Sequence, residues 1–308
     1  MKKQILIIGI ILITFGAMLI TSSIASAQSA SEFVVPLSDP AKRGKLKAHI
    51  NYGSITVKGT GRKDVLIKYK SVEDDEDDND RDEDDDRHHK NSNVKVDVKV
   101  NVNSNHNNNN EDKSKSKDGL KRIGGGGIDL EVSESSNSVK VQSNSWNHKI
   151  NLEIEVPSGF DLDVSTYNDG DLIITNIQGQ LELTNYNGDI TALNISGSVV
   201  ATSYNGEIKA TFDKVTDGTP MSYSTFNGDI DITFPASLKA SLKMKTEQGE
   251  ILTGFDVTVK DTGPVQKKDT KSGVYKVVVD EWKYADVNGG GPEISMKNYN
   301  GDIYVRKK

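Results

Sequence analysis

The sequence predicts an all-β protein whose short strands wind into a stack of circuits, a β-solenoid. Three observations carry that expectation. Gly170, Gly179, Gly188, Gly197 and Gly206 recur every nine residues. Leu172, Leu181, Ile190, Val199 and Ile208 follow them two positions later, and Ile174, Leu183, Ala192, Ala201 and Ala210 four positions later. That is the period-two spacing of the inward face of a strand. At the seventh position Ile177, Tyr186, Ile195 and Tyr204 alternate, so the true repeat is eighteen residues built from two halves. A fixed period of this length marks a stacked repeat, in which each circuit lays like residues on like residues of the last.

The elements follow in chain order. Lys2 and Lys3 precede an apolar run from Ile5 to Ile20, and Ala25-x-Ala27 fits a signal-peptidase site before Gln28. Residues 1–27 therefore read as a secretory signal peptide; an uncleaved anchor is the rival reading. No later apolar run is long enough to span a membrane. Residues 28–72 hold N-terminal strands of the β domain: a polar start, then runs at Lys47–Lys58 and Val65–Val72 around a turn at Gly59 and Gly61. Residues 73–122 read as an acidic, Asn-rich insertion that is mostly disordered, because such composition buries too little apolar area to offset its ordering entropy. Twelve carboxylates and one Arg fill 73–86. One island, Val94 to Val102, alternates apolar with polar residues and reads as an edge strand or a hairpin arm. Residues 123–308 form the solenoid repeat domain. Its first strands are expected at Ile128–Val132, Ser138–Gln142 and Ile150–Val156, and Pro157-Ser158-Gly159 is a turn.

Within the domain the motif Tyr/Phe-Asn-Gly-Asp/Glu-Ile recurs at Tyr186–Ile190, Tyr204–Ile208, Phe226–Ile230 and Tyr299–Ile303, with variants at Tyr167–Leu172 and Glu247–Ile251. Its glycines widen in spacing from Gly206 to Gly228 to Gly249. The 52-residue step to Gly301 reads as an excursion with its own strands, Val274–Asp280 and Trp282–Val287. Asn-Gly is also a favoured two-residue hairpin turn, so an antiparallel meander is the rival fold. Column identity every eighteen residues favours stacking.

A secretory leader, Gly-Ser-Ile-Thr-Val at 53–57, Val156-Pro157-Ser158-Gly159 and tandem Asn-Gly-Asp-Ile motifs together resemble the bacterial putative-adhesin β-repeat family, long catalogued as a domain of unknown function. The resemblance covers roughly 44–72 and 128–308. It implies a right-handed parallel β-helix-like solenoid with ~18–22-residue circuits and an extracytoplasmic place: periplasm, cell surface or secreted. It implies no established activity. The long insertion departs from the family's usual pattern.

The inventory of chemical groups excludes much. The chain has no cysteine, hence no disulfide framework, Cys-based zinc site or thiol nucleophile. The net charge of −7 comes from residues 73–86; the remainder carries 37 basic against 33 acidic side chains, without the basic surface nucleic acid requires. The histidines, His49, His88, His89, His106 and His148, all lie outside the repeat array, and Arg306 is the only Arg after residue 160. A Ser-His-Asp triad, an HExxH zinc site and an Arg-assisted lyase site thus lack parts in the array. Gly124–Gly127 reads as a linker.

Three columns remain. Asp171, Asp189, Glu207, Asp229, Glu250 and Asp302 form an acidic ladder. Its first four members are candidate Ca²⁺ ligands, against the plainer reading of a solvated turn edge. Tyr167, Tyr186, Tyr204, Phe226 and Tyr299 form an aromatic ladder. Facing outward it would be a sugar-stacking platform, facing inward a core stack, and Phe226 in the series favours the core. Asn168, Asn187, Asn205, Asn227 and Asn300 are expected to hold left-handed turn conformations and stacked amide hydrogen bonds. The Glu73–Asp86 cluster with His88 and His89 reads as a solvated loop, with weak cation binding as its rival.

The expected function is a non-enzymatic, cofactor-free, exported scaffold or adhesin. The sequence leaves the partner open, with a glycan and an envelope protein as the candidates. The alternatives are a carbohydrate-active β-helix enzyme, whose paired carboxylates would need neither His nor Arg, and a calcium-stabilised envelope protein.

Overall fold

The computed structural model describes residues 31–72, 97–102, 129–260, 265–269 and 276–308. The expected signal peptide, the Glu73–Asp86 cluster with His88 and His89, and Gly124–Gly127 lie outside these residues. The described residues contain no helix, and thus none long and apolar enough to cross a membrane.

The repeat region begins with β9 (Asp161–Asn168), β10 (Leu172–Thr175), β11 (Gln180–Asn187) and β12 (Ile190–Asn205). It continues through β13 (Ile208–Val215), β14 (Met221–Ser224) and β15 (Ile230–Phe234). Each circuit lays one strand in each of two sheets. Sheet I pairs β10 with the start of β12, then β13, then β15, all parallel; Leu172, Ile190, Ile208 and Ile230 fall opposite one another. Sheet II pairs β9, β11, the end of β12 and β14, again parallel, with Leu162, Leu181 and Val199 in register. Parallel pairing at the eighteen-residue step excludes the hairpin meander. The long β12 serves both sheets by turning at Asn194, whose φ is 57°. The inward residues of both sheets form one hydrophobic cluster, and Leu172, Leu181, Ile190, Val199 and Ile208 are all buried within it.

The N-terminal strands are β1 (Ser31–Pro36), β2 (Lys45–Tyr52), β3 (Ile55–Thr60), β4 (Asp64–Val72) and β5 (Asp97–Val102), followed by β6 (Asp129–Ser135), β7 (Ser138–Ser143) and β8 (Lys149–Pro157). The run read from sequence as one strand, Lys47–Lys58, is two. It turns at Gly53 (φ 118°), where an added Cβ would lie 2.0 Å from the Ile150 carbonyl oxygen. The resulting β2–β3 circuit does not sit at the end of the stack. It slots between the β7–β8 and β9–β10 circuits, with β2 paired to β7 and β9, and β3 to β8 and β10. Beyond it, β4 and β1 extend sheet I antiparallel, β6 extends sheet II antiparallel, and β5 lies parallel to β6. The Val94–Val102 island thus contributes an edge strand.

The C-terminal strands repeat this device. They are β16 (Ala240–Lys245), β17 (Ile251–Thr253), β18 (Val257–Lys260), β19 (Val265–Asp269), β20 (Lys276–Asp280), β21 (Lys283–Val287), β22 (Glu293–Lys297) and β23 (Ile303–Lys307). The circuit carrying Gly301 does not follow that of Gly249. β22 pairs with both β14 and β16, and β23 with both β15 and β17. The last circuit of the chain is therefore inserted one layer inward. Sheet II ends in antiparallel β21 and β18, while β19 and β20 form a hairpin of their own.

Candidate functional site

At the corner leading from sheet II to sheet I, the motif residues of successive circuits stack into columns with distinct roles. Each motif glycine presents its carbonyl to the next layer. Gly188, Gly228 and Gly301 have φ of 138°, 137° and 126°, and a Cβ on Gly228 would meet the Gly206 carbonyl oxygen at 2.2 Å. Gly179 and Gly197 occupy the other corner with ordinary φ. They are glycine for closeness alone, since a Cβ on Gly197 would lie 1.9 Å from the Gly179 oxygen.

The asparagines form an amide ladder. Asn205 Nδ2 donates to Asn187 Oδ1 (2.8 Å), Asn227 Nδ2 to Asn205 Oδ1 (2.7 Å) and Asn300 Nδ2 to Asn227 Oδ1 (2.7 Å). The expected left-handed backbone at these asparagines is not found. The glycine after Asn187, Asn205, Asn227 and Asn300 takes the positive φ, and so does Asp169 after Asn168; Asn176 and Asn194, at the opposite corner, are left-handed themselves. Glycine adopts φ > 0 at no steric cost, so it relieves its neighbour of the strain.

The acidic ladder caps backbone. Asp171 Oδ1 accepts the Asp189 N–H (2.9 Å), Asp189 Oδ1 the Glu207 N–H (2.8 Å), Asp229 Oδ1 the Asp302 N–H (2.8 Å) and Asp302 Oδ1 the Glu250 N–H (2.8 Å). The Asp302 carboxyl is held below its ordinary value by the Glu250 N–H and then by the Tyr304 hydroxyl. Glu207 is one methylene longer and caps no N–H in the ladder. Burial pushes its carboxyl up, and the nearby Asp189, Asp231 and Asp229 add to this while Lys209 opposes it. Among the described residues no three or more His, Asp or Glu side chains gather as a metal site requires. The candidate ligands Asp171, Asp189, Glu207 and Asp229 are spread one per layer along the corner.

The aromatic ladder faces outward, against the expectation of a core stack. Tyr167, Tyr186, Tyr204, Phe226 and Tyr299 are 38–45% exposed. Their rings stack face to face, with centroids 4.6, 4.9, 5.1 and 4.8 Å apart and planes within 9° of parallel. Strand alternation is the reason: with Leu181 and Leu183 inward, Tyr186 must point out. Trp146 closes one end, edge-on to Tyr167 at 5.2 Å and 80°. The ring faces cover one another, so the ladder shows solvent its edges and hydroxyls.

Sequence reasoning missed the column that does face inward beside the rings: Thr166, Asn185, Ser203, Thr225 and Asn298, all buried. Each donates to a motif-glycine carbonyl. Thr166 Oγ1 reaches Gly53 O (2.6 Å), Asn185 Nδ2 Gly170 O (2.9 Å), Thr225 Oγ1 Gly206 O (3.0 Å) and Asn298 Nδ2 Gly228 O (3.1 Å). The signal was available, because each lies two positions after an inward apolar residue such as Leu183 or Met296.

Fold and corner together define a stacked parallel-β repeat protein with an external aromatic ladder backed by amide, carboxylate and hydroxyl ladders. Residues 161–281 match the family described as Toastrack DUF4097. The match starts at β9 and stops short of β21, so both inserted circuits, β2–β3 and β22–β23, lie outside it. No curated protein matches the chain. Among solved structures, the crystal structure of a putative cell adhesion protein from Clostridium sporogenes is similar at a TM-score of 0.42 and 9% identity, covering 91% of this chain and 100% of that one.

Proposed function

We propose that this chain is an exported, non-enzymatic, right-handed β-solenoid that presents its aromatic corner as a binding surface at the cell envelope. The observation that carries the reading is the ladder itself: five aromatic side chains held outward in one continuous stack. A continuous exposed apolar stripe on a folded protein marks an interaction surface. Asp171, Asp189, Asp229 and Asp302 of the same corner are each tied to a backbone N–H of the next layer, which suits a scaffold edge. The Lys2-Lys3 start, the apolar run and Ala25-x-Ala27 support export. The test is expression in a bacterial host, with fractionation and N-terminal sequencing. The expected product begins at Gln28 outside the cytoplasm. A full-length chain retained in the cytoplasm overturns the reading.

A further inference from the structure

Resting on the reading of the ladder as a binding surface, we infer that its ligand is a neutral, linear, β-linked polysaccharide lying along the stack, about one sugar per circuit. The chemistry begins at the ring edges. An aromatic ring carries negative charge on its face and positive charge at its edge. Here the faces are used up in stacking, so the surface attracts oxygen atoms and does not offer flat platforms. The hydroxyls of Tyr167, Tyr186, Tyr204 and Tyr299 hydrogen-bond no other described residue.

A second hydroxyl column runs beside the rings on the outer face of sheet II. Thr184, Thr202 and Ser224 lie in register, each two positions before a ring of the ladder. The two rows run side by side along the stack, spaced 4.6–5.1 Å with the rings, the ring row lacking a hydroxyl at Phe226.

Period and charge select the ligand. An extended β-linked glycan advances about 5 Å per pyranose with alternate sugars turned over, so the chain keeps step with neighbouring strands and every second sugar presents the same edge to the ladder. An extended peptide repeats its side chains every ~6.6 Å and falls out of step. Polyanions are disfavoured because Asp189, Glu207 and Asp229 follow the rings round the same corner. A second copy of this chain has the matching period, but it would bring its own acidic column against this one.

The test is calorimetric titration of the full chain with cello- and chito-oligosaccharides of increasing length, beside co-sedimentation with cellulose and chitin. Affinity is expected to rise with each added sugar up to about the five-ring span and then level off, as a commensurate, multivalent site requires. A triple variant, Tyr167→Phe, Tyr186→Phe and Tyr204→Phe, keeps the stack and removes three hydroxyls. It should melt as the parent does and bind about tenfold more weakly or worse. Three results overturn the inference: no binding to any of these glycans, full affinity in the triple variant, or a ladder-dependent dimer on size-exclusion chromatography with light scattering. Each leaves the exported-scaffold reading standing if fractionation places the chain outside the cytoplasm, so the two fail separately.

Discussion

Gly228 shows how little freedom a single residue has in this stack. Its φ of 137° is open to glycine and costly to any other residue, and a Cβ there would press against a backbone oxygen that cannot swing away. Gly228→Ala should cost about 3 kcal/mol or more, lowering the melting midpoint by roughly 10 °C. Differential scanning calorimetry reads this directly, and an unchanged midpoint would show that the corner relaxes. The carboxylate next to a motif glycine has a different task. Asp189 accepts the Glu207 N–H, so Asp189→Ala should cost about 1 kcal/mol, the usual net worth of one such bond. Because one oxygen of the carboxylate is already engaged, CaCl₂ and NaCl at equal ionic strength should shift the midpoint alike through screening. A Ca²⁺-specific stabilisation that disappears in Asp189→Ala would revive the ladder as a cation site.

Elements differ in how well the two-sheet register satisfies their polar groups. In β11, Asn185 donates its amide to Gly170 O, yet its Oδ1 is buried without a partner. The equivalent Thr225 makes the same contact with a hydroxyl and leaves no orphaned acceptor. Asn185→Thr should therefore be neutral or stabilising by about 1 kcal/mol, checked by urea denaturation. In β14, Tyr223 is fully buried and its hydroxyl donates to the Met221 sulfur, at 3.5 Å. Burial pushes this hydroxyl well above its ordinary 10.0. The folded-state value exceeds the unfolded one, so the neutral ring's contribution is intact below about pH 10 and drains away as pH climbs toward the folded value. Melting midpoints followed from about pH 9 to pH 11 should fall more steeply in the parent than in Tyr223→Phe. Parallel slopes would show that Tyr223 is reached by solvent.

At the scale of the whole molecule, the decisive feature is that the first and last circuits are inserted inside the stack. In a repeat array laid down in chain order, deleting the final unit removes one interface and spares the rest. Here β22 and β23 separate β14 and β15 from β16 and β17. Removing residues 293–308 should leave 240–260 without its parallel neighbours among the described residues and expose it to protease along with β21. Limited proteolysis with mass spectrometry distinguishes this from simple fraying: cleavage within 240–260 is expected, and its absence would show that the stack closes over the gap. Insertion also ties the C-terminal strand into the stack, as the Lys308 backbone N–H bonded to Phe234 O illustrates.

The strands, the glycine corners and the inward aliphatic columns were legible in the sequence, because two-residue alternation and close backbone approach are local requirements that leave local signatures. Asn-Gly-Asp-Ile spacing alone was enough to stack Ile190 on Ile208. The outward ladder was legible too, through the parity of Leu181, Leu183 and Tyr186, although Phe226 pointed reasoning toward the core. The tertiary structure alone decided which circuit neighbours which. Ile55, Ile230, Ile303 and Ile251 head circuits with closely similar edges, and Ile303 pairs with both Ile230 and Ile251. A sequence whose repeats are alike carries almost no information about their order, and loop length, end capping and the packing of unlike terminal strands choose among pairings that the repeat itself makes equivalent.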